Sequence, residues 1–96
     1  MRTLMLIQHR VADFDAWKQV YDDFRDTQVK GGVRFHQVTR LQGDPNTVVV
    51  THVFDDQQAA KAFAGSAELR EAMGHAGVEE GTLSIQYLDE IESGDL

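Results

Sequence analysis

Most of the acid–base chemistry open to this sequence rests on four histidines and two tyrosines. Three of the histidines fall in stretches of β-forming residues: His9 within Thr3–Val11, His36 within Val33–Leu41 and His52 within Thr47–Phe54. Tyr87 lies in a fourth such stretch, Thr82–Ile91. Side chains alternate along a strand, so His9 shares a face with Met5, Ile7 and Val11, and His52 with Val50 and Phe54. An imidazole among apolar neighbours can act as acid, base or hydrogen-bond donor near neutral pH. A few polar atoms in apolar surroundings also meet what a small-molecule site requires. His9 and His52 are therefore the candidate acid–base pair and Tyr87 a candidate hydrogen-bond donor, each able to point into the space between two sheets. Ile7, Val50, Phe54, Phe63 and Met73 are expected to line the pocket. A buried histidine bonded to a backbone carbonyl is the competing reading for both imidazoles.

The other two histidines read as structural. His36 lies between Arg34 and Arg40 on one strand face, the pattern of a solvated edge, and His75 sits near a helix end, where a cation favours the helix dipole. Trp17 falls in register with Phe14, Tyr21 and Phe24 and reads as a core residue of the first helix.

Several chemistries are excluded outright. There is no cysteine, hence no disulfide, no thiolate nucleophile and no zinc site built on sulfur. No HxH, HxxxH or HxxE pattern marks a metal site, and no phosphate-binding loop, dinucleotide fingerprint or Ser-His-Asp order is present, so neither metal nor cofactor is expected. A net charge of -7 argues against nucleic acid, since phosphate binding draws on clustered Lys and Arg. A small hydrophobic or aromatic molecule, or another protein, fits better. No apolar run is long enough to cross a bilayer, and Met1–Ile7 followed by Gln8-His9-Arg10 does not read as a signal peptide, so a cytoplasmic protein is expected.

The elements that must position these residues follow from periodicity and caps. After the first strand, Asp13 stands where a helix N-cap belongs, and the helix ends at Lys30-Gly31-Gly32. Gln42-Gly43-Asp44-Pro45-Asn46 carries the turn chemistry of a hairpin between the second and third strands. Asp55-Asp56 caps a second helix with Ala59, Ala60 and Phe63 on its apolar stripe. Gly65-Ser66 breaks that helix, and Ser66 caps a continuation through Leu69, Ala72, Met73 and Ala76, closed by Gly77. Glu92–Leu96 is a polar tail. The order is β-α-β-β-α-β: one domain over residues 1–96, α+β in class, a ferredoxin-like split βαβ with a four-stranded antiparallel sheet. Both rows of the third strand are largely apolar, as are Leu4 and Leu6 opposite Met5 and Ile7. Helices cover one face of such a sheet, so a second copy of the chain is expected on the other.

Gln8-His9-Arg10-Val11-Ala12-Asp13-Phe14-Asp15-Ala16-Trp17-Lys18, His52-Val53-Phe54-Asp55 and Ala60–Arg70 resemble the dimeric α+β-barrel superfamily, in particular its antibiotic-biosynthesis-monooxygenase-like branch. The resemblance implies a homodimer, a dimeric α/β barrel in which two sheets meet face to face and each subunit keeps a pocket between its sheet and helices. It implies small-molecule chemistry of three kinds: a cofactor-independent monooxygenase acting on an aromatic or polyketide-like substrate, a polyketide cyclase-like enzyme, or a non-catalytic ligand-binding or structural dimer. Haem-degrading relatives use an asparagine, a tryptophan and a histidine at positions that match His9, Phe63 and Met73. All three differ here, so the resemblance does not extend to haem degradation.

Overall fold

Three of the four helices start where a short polar side chain accepts from backbone amides that would otherwise be unpaired, and the one that follows Phe24 has no such cap. A computed structural model describes all residues, 1–96. Strand β1 spans Thr3–Arg10 and is followed by helices α1 (Phe14–Asp23) and α2 (Arg25–Lys30). Strands β2 (Phe35–Leu41) and β3 (Asp44–Phe54) come next, then α3 (Gln57–Ala64), α4 (Ala67–His75) and β4 (Ser84–Asp89). Asp13 caps α1 by accepting from the amides of Asp15 and Ala16, Asp56 caps α3 through Ala59 N at 2.8 Å, and Ser66 caps α4 through Leu69 N at 3.2 Å. Asp55 does not cap; it pairs with Arg34 at 3.0 Å.

The strands form one antiparallel sheet in the order β2-β3-β1-β4, the expected α+β ferredoxin-like arrangement. Several boundaries differ from the sequence reading, with β2 beginning at Phe35 rather than Val33 and β4 spanning Ser84–Asp89 rather than Thr82–Ile91. The first helix is broken at Phe24, whose amide reaches both Val20 O and Tyr21 O at 3.2 Å. Val11 leaves β1 and bridges instead to Val78. The hairpin turn is confined to Gln42-Gly43, so β3 begins at Asp44; Arg40 pairs with Val48 but Leu41 with Asp44, leaving Pro45, Asn46 and Thr47 without partners on β2. Asp44 holds this step together by accepting from Asn46 N at 3.3 Å and from the Thr47 hydroxyl at 2.6 Å.

The core lies between the sheet and the helices. Met5, Ile7, Val48, Val50 and Phe54 rise from the sheet to meet Trp17, Tyr21, Ala60, Phe63 and Leu69. Gly31 lets the end of α2 approach this core closely: a Cβ there would stand 2.5 Å from the Phe63 ring. On the opposite sheet face Leu4 lies between Val53 and Leu88, and Phe35 lies beside Val53. Phe35 and Leu88 are exposed in the single chain, so that face carries apolar side chains among polar ones such as Thr51 and Gln86 and is uncovered by any helix. No helix is long and apolar enough to cross a membrane.

Candidate functional site

The register of β1 and β3 brings His9 beside Val48 and His52 beside Met5 on the face turned toward the helices. The site thus lies between sheet and helices, which corrects the expectation that these side chains point between two sheets. A cavity of about 50 Å³ opens there. Its floor is Ile7 and His9 from β1 and Val50 and His52 from β3. Trp17, Val20 and Tyr21 of α1 form one wall and Leu69, Ala72 and Met73 of α4 the other. Gln28 of α2, 2 % exposed, closes one end and accepts from Arg25 Nε at 3.3 Å.

An aromatic ladder runs along α1. Phe14 stacks on Trp17 at 5.8 Å between centroids, Trp17 on Tyr21 at 5.0 Å, and the Arg40 guanidinium sits 4.3 Å above Phe14. The His9 ring tilts against Trp17 at 5.6 Å. Tyr21 carries the ladder into the histidines, because its hydroxyl lies 3.1 Å from His52 Nε2 and 3.0 Å from His36 Nδ1.

The imidazoles differ in how they are satisfied. His9 is 4 % exposed and neither ring nitrogen has a protein hydrogen-bond partner. His52 is 2 % exposed; its Nε2 meets Tyr21, and its Nδ1 has no protein partner. Buried polar atoms without partners cost roughly 1–3 kcal/mol each, so these imidazoles are held in the apolar cavity at a cost in stability. Burial lowers the pKa of His9 from its ordinary value. Burial also pushes His52 down to about 4, with smaller contributions from His36 and Arg25. Burial raises the Tyr21 phenol. At neutral pH the site therefore holds two neutral imidazoles and a protonated phenol.

Of the residues singled out from the sequence, His9, His52, Ile7, Val50 and Met73 line the cavity. Phe54 and Phe63 do not; they pack against the His52 ring at 6.4 and 5.8 Å and fix its orientation. Tyr87 lies on the same sheet face, opposite Met5, but out on β4, where it is 39 % exposed with the Lys61 ammonium 5.7 Å above its ring. It does not reach the cavity, because that space is centred on β1 and β3 beneath α1 and α4. His36, read as a solvated edge, is exposed yet bonded to Tyr21. His75 stands at the end of α4, 3.8 Å from Glu71. Gln28, Tyr21 and His36 are the polar site residues that sequence reasoning missed, and the apolar walls of Trp17, Val20, Leu69 and Ala72 were read only as helix core. Gln28 did leave a signal, since it continues the stripe of Trp17, Tyr21 and Phe24. No group of three or more His, Asp or Glu side chains is placed to hold a metal ion.

Comparison with solved structures returns the same architecture throughout. A Caulobacter crescentus CB15 protein described as a candidate antibiotic biosynthesis monooxygenase matches with a TM-score of 0.74 at 23% identity, covering 95% of this chain and 91% of that one. SnoaB, a cofactor-independent oxygenase from Streptomyces nogalater, matches with a TM-score of 0.78 at 12% identity, covering 96% and 95%. A dimeric ferredoxin-like protein of unknown function from Jannaschia sp. CCS1 matches with a TM-score of 0.73 at 13% identity, covering 94% and 100%. At these identities the likeness establishes the fold. No curated protein matches the chain. The model of one family, antibiotic biosynthesis monooxygenase, matches residues 4–75, from the second residue of β1 to the end of α4, and the chain belongs to that family.

Proposed function

We propose that the protein is a cofactor-independent oxygenase acting on a compact aromatic or polyketide-like molecule held between the sheet and α1 and α4. The carrying observation is His9: an imidazole buried in an apolar cavity with both nitrogens unengaged by the protein. A ring CH₂ made acidic by flanking carbonyl or phenol groups gives up a proton to His9, and its electron pair stays on the ring. The carbanion adds O₂ to give a hydroperoxide, which loses water to leave a carbonyl, so CH₂ and O₂ become C=O and H₂O without a separate reductant. The neutral state of His9 suits it to accept that proton. The fold shared with SnoaB, described as a cofactor-independent oxygenase, supports the same reading. Two copies meeting through the outer sheet face would leave one such cavity in each.

A second reading, a non-catalytic structural dimer whose cavity is filled by its own side chains, draws on the cavity volume. About 50 Å³ is well below the roughly 300 Å³ at which small-molecule sites begin, so any substrate must part the helices.

Oxygen uptake with a panel of hydroxylated tricyclic aromatics separates the two. Uptake equimolar with substrate, cut by about 10²–10⁴-fold in His9→Phe, is expected of the oxygenase. His9→Phe should also raise the urea midpoint, because it removes two unpaired polar atoms from the core at a gain of about 1–3 kcal/mol. Failure of every panel member to bind favours the second reading, and binding without oxygen uptake overturns the oxygenase.

A further inference from the structure

The β2–β3 register places His36 directly across from His52 on the same sheet face, and α1 lays one hydroxyl over both. The three rings are close to parallel, with Tyr21 and His36 inclined by 25° and Tyr21 and His52 by 28°. One ring of the three, His36, is exposed; His52 is buried and lines the cavity. We propose that His36, Tyr21 and His52 form a proton relay from the protein surface to the cavity, in which the protonation of His36 sets the tautomer of His52.

The Tyr21 phenol has a single proton to share between two imidazoles. A hydroxyl donates once and accepts through its lone pairs, whereas each neutral imidazole has one N–H and one bare nitrogen. All three groups are satisfied only when one histidine donates to the Tyr21 oxygen and the other accepts from it. Two arrangements meet that condition. In the first, His36 Nδ1–H donates to Tyr21, Tyr21 donates to His52 Nε2, and His52 carries its proton on Nδ1. In the second every bond is reversed: His52 Nε2–H donates to Tyr21, Tyr21 donates to His36 Nδ1, and His52 Nδ1 is bare.

Protonated His36 bears hydrogen on both nitrogens and permits only the first arrangement. When the first arrangement takes up a solvent proton at His36 Nε2, His52 therefore keeps its own proton on Nδ1, the nitrogen without a protein partner. When that proton leaves for an acceptor in the cavity, the Tyr21 proton moves to His52 Nε2 and the His36 Nδ1 proton moves to Tyr21. The product is the second arrangement with His36 neutral; one proton has entered from solvent and one has left into the cavity. Neutral His52 never has to hold a buried charge at rest, which agrees with the burial that keeps it unprotonated.

The charged groups facing the relay are few. Arg25 of α2 and Arg34 before β2 share a surface groove with His36, and Asp22 of α1 lies 3.9 Å from Arg25. None bonds to any ring of the three. For the proposed oxygenation, which this use of the relay presupposes, the delivered proton converts the peroxide anion to the hydroperoxide, and the proton that His9 took from the ring is released to solvent in exchange. His36 and Tyr21 are then positioning residues that act through His52.

The relay itself is testable without substrate. In protein labelled with ¹⁵N-histidine, nitrogen shifts of His36 and His52 are followed against pH in wild type, Tyr21→Phe and His36→Gln. The expected result is that His52 Nδ1 changes from bare to protonated, and Nε2 from protonated to bare, with the same midpoint as His36. Both variants should hold His52 in one tautomer throughout. A wild-type His52 that keeps one tautomer across the titration of His36 overturns the relay, as does a switch that survives in Tyr21→Phe. His36→Gln, at an exposed position, keeps the test decisive should Tyr21→Phe fail to fold. Absence of oxygen uptake would sink the oxygenase and leave this outcome untouched.

Discussion

The two central imidazoles carry opposite obligations in the folded and unfolded chain, and stability should report it. The folded pKa of His52 is depressed to about 4, while the unfolded chain titrates near 6.5, so below that value the unfolded state binds more protons. Stability is then fully present above about pH 6.5 and falls as pH drops toward 4, by about 2 kcal/mol between pH 7 and pH 5 from His52 alone. His9 shifts the same way. Urea midpoints at the two pH values measure this, and His52→Gln should flatten the dependence. Asp44, Asp55 and Glu90 have lowered pKa values, so their losses come at more acid pH and stay apart. An unchanged wild-type midpoint would mean that water reaches His52 freely. His9 and His52 were legible in the sequence because strand alternation alone puts them among Ile7, Val50 and Phe54. Tyr21 and His36 were not, because their meeting depends on a cross-strand register and a helix rotation that no local pattern encodes. Tyr87 shows the complement: it was expected between two sheets, whereas it lies on the helix-facing side and too far out on β4 to reach the cavity.

Among the elements, α2 and α4 are the short pieces created where each expected helix breaks. The second break was readable at Gly65-Ser66, a flexible residue followed by a capping one. The first, at Phe24, was not, since an aromatic residue on the apolar stripe gives no stop signal. The α2 break matters to the site, because α2 ends at Gly31 against Phe63, and Phe63 packs on the His52 ring at 5.8 Å. Gly31→Ala would drive a methyl group into that ring, which is 4 % exposed and confined on its other side by Phe54. We expect a loss of about 1–3 kcal/mol in chemical denaturation, the range typical of overpacked cores, together with shifted His52 resonances. Wild-type stability in Gly31→Ala would show that Phe63 moves aside without strain.

At the scale of the whole molecule the sheet carries apolar side chains on both faces and helices on only one. Leu6 stands near the middle of the uncovered face, paired with Thr51 and Gln86. If a second copy covers that face, the wild-type protein should run at twice the chain mass in light scattering. Leu6→Glu should run at the chain mass, because a carboxylate there could not be desolvated without a partner. A wild-type monomer at micromolar concentration would remove the dimer.

The register step in the β2–β3 hairpin bears on how this fold tolerates changes in chain length. A slip of one residue along β2 would turn His36 to the outer face and bring Arg40 and Val38 out with it. The slack lies between Arg40 and Leu41, where Asp44 gathers Asn46 and Thr47 and also holds Arg10 at 3.0 Å. An insertion or deletion at the Gln42-Gly43 tip meets this irregular stretch before it meets the paired run from Phe35 to Arg40. Variation in loop length can accumulate at the tip of the hairpin while the histidine pair stays in step.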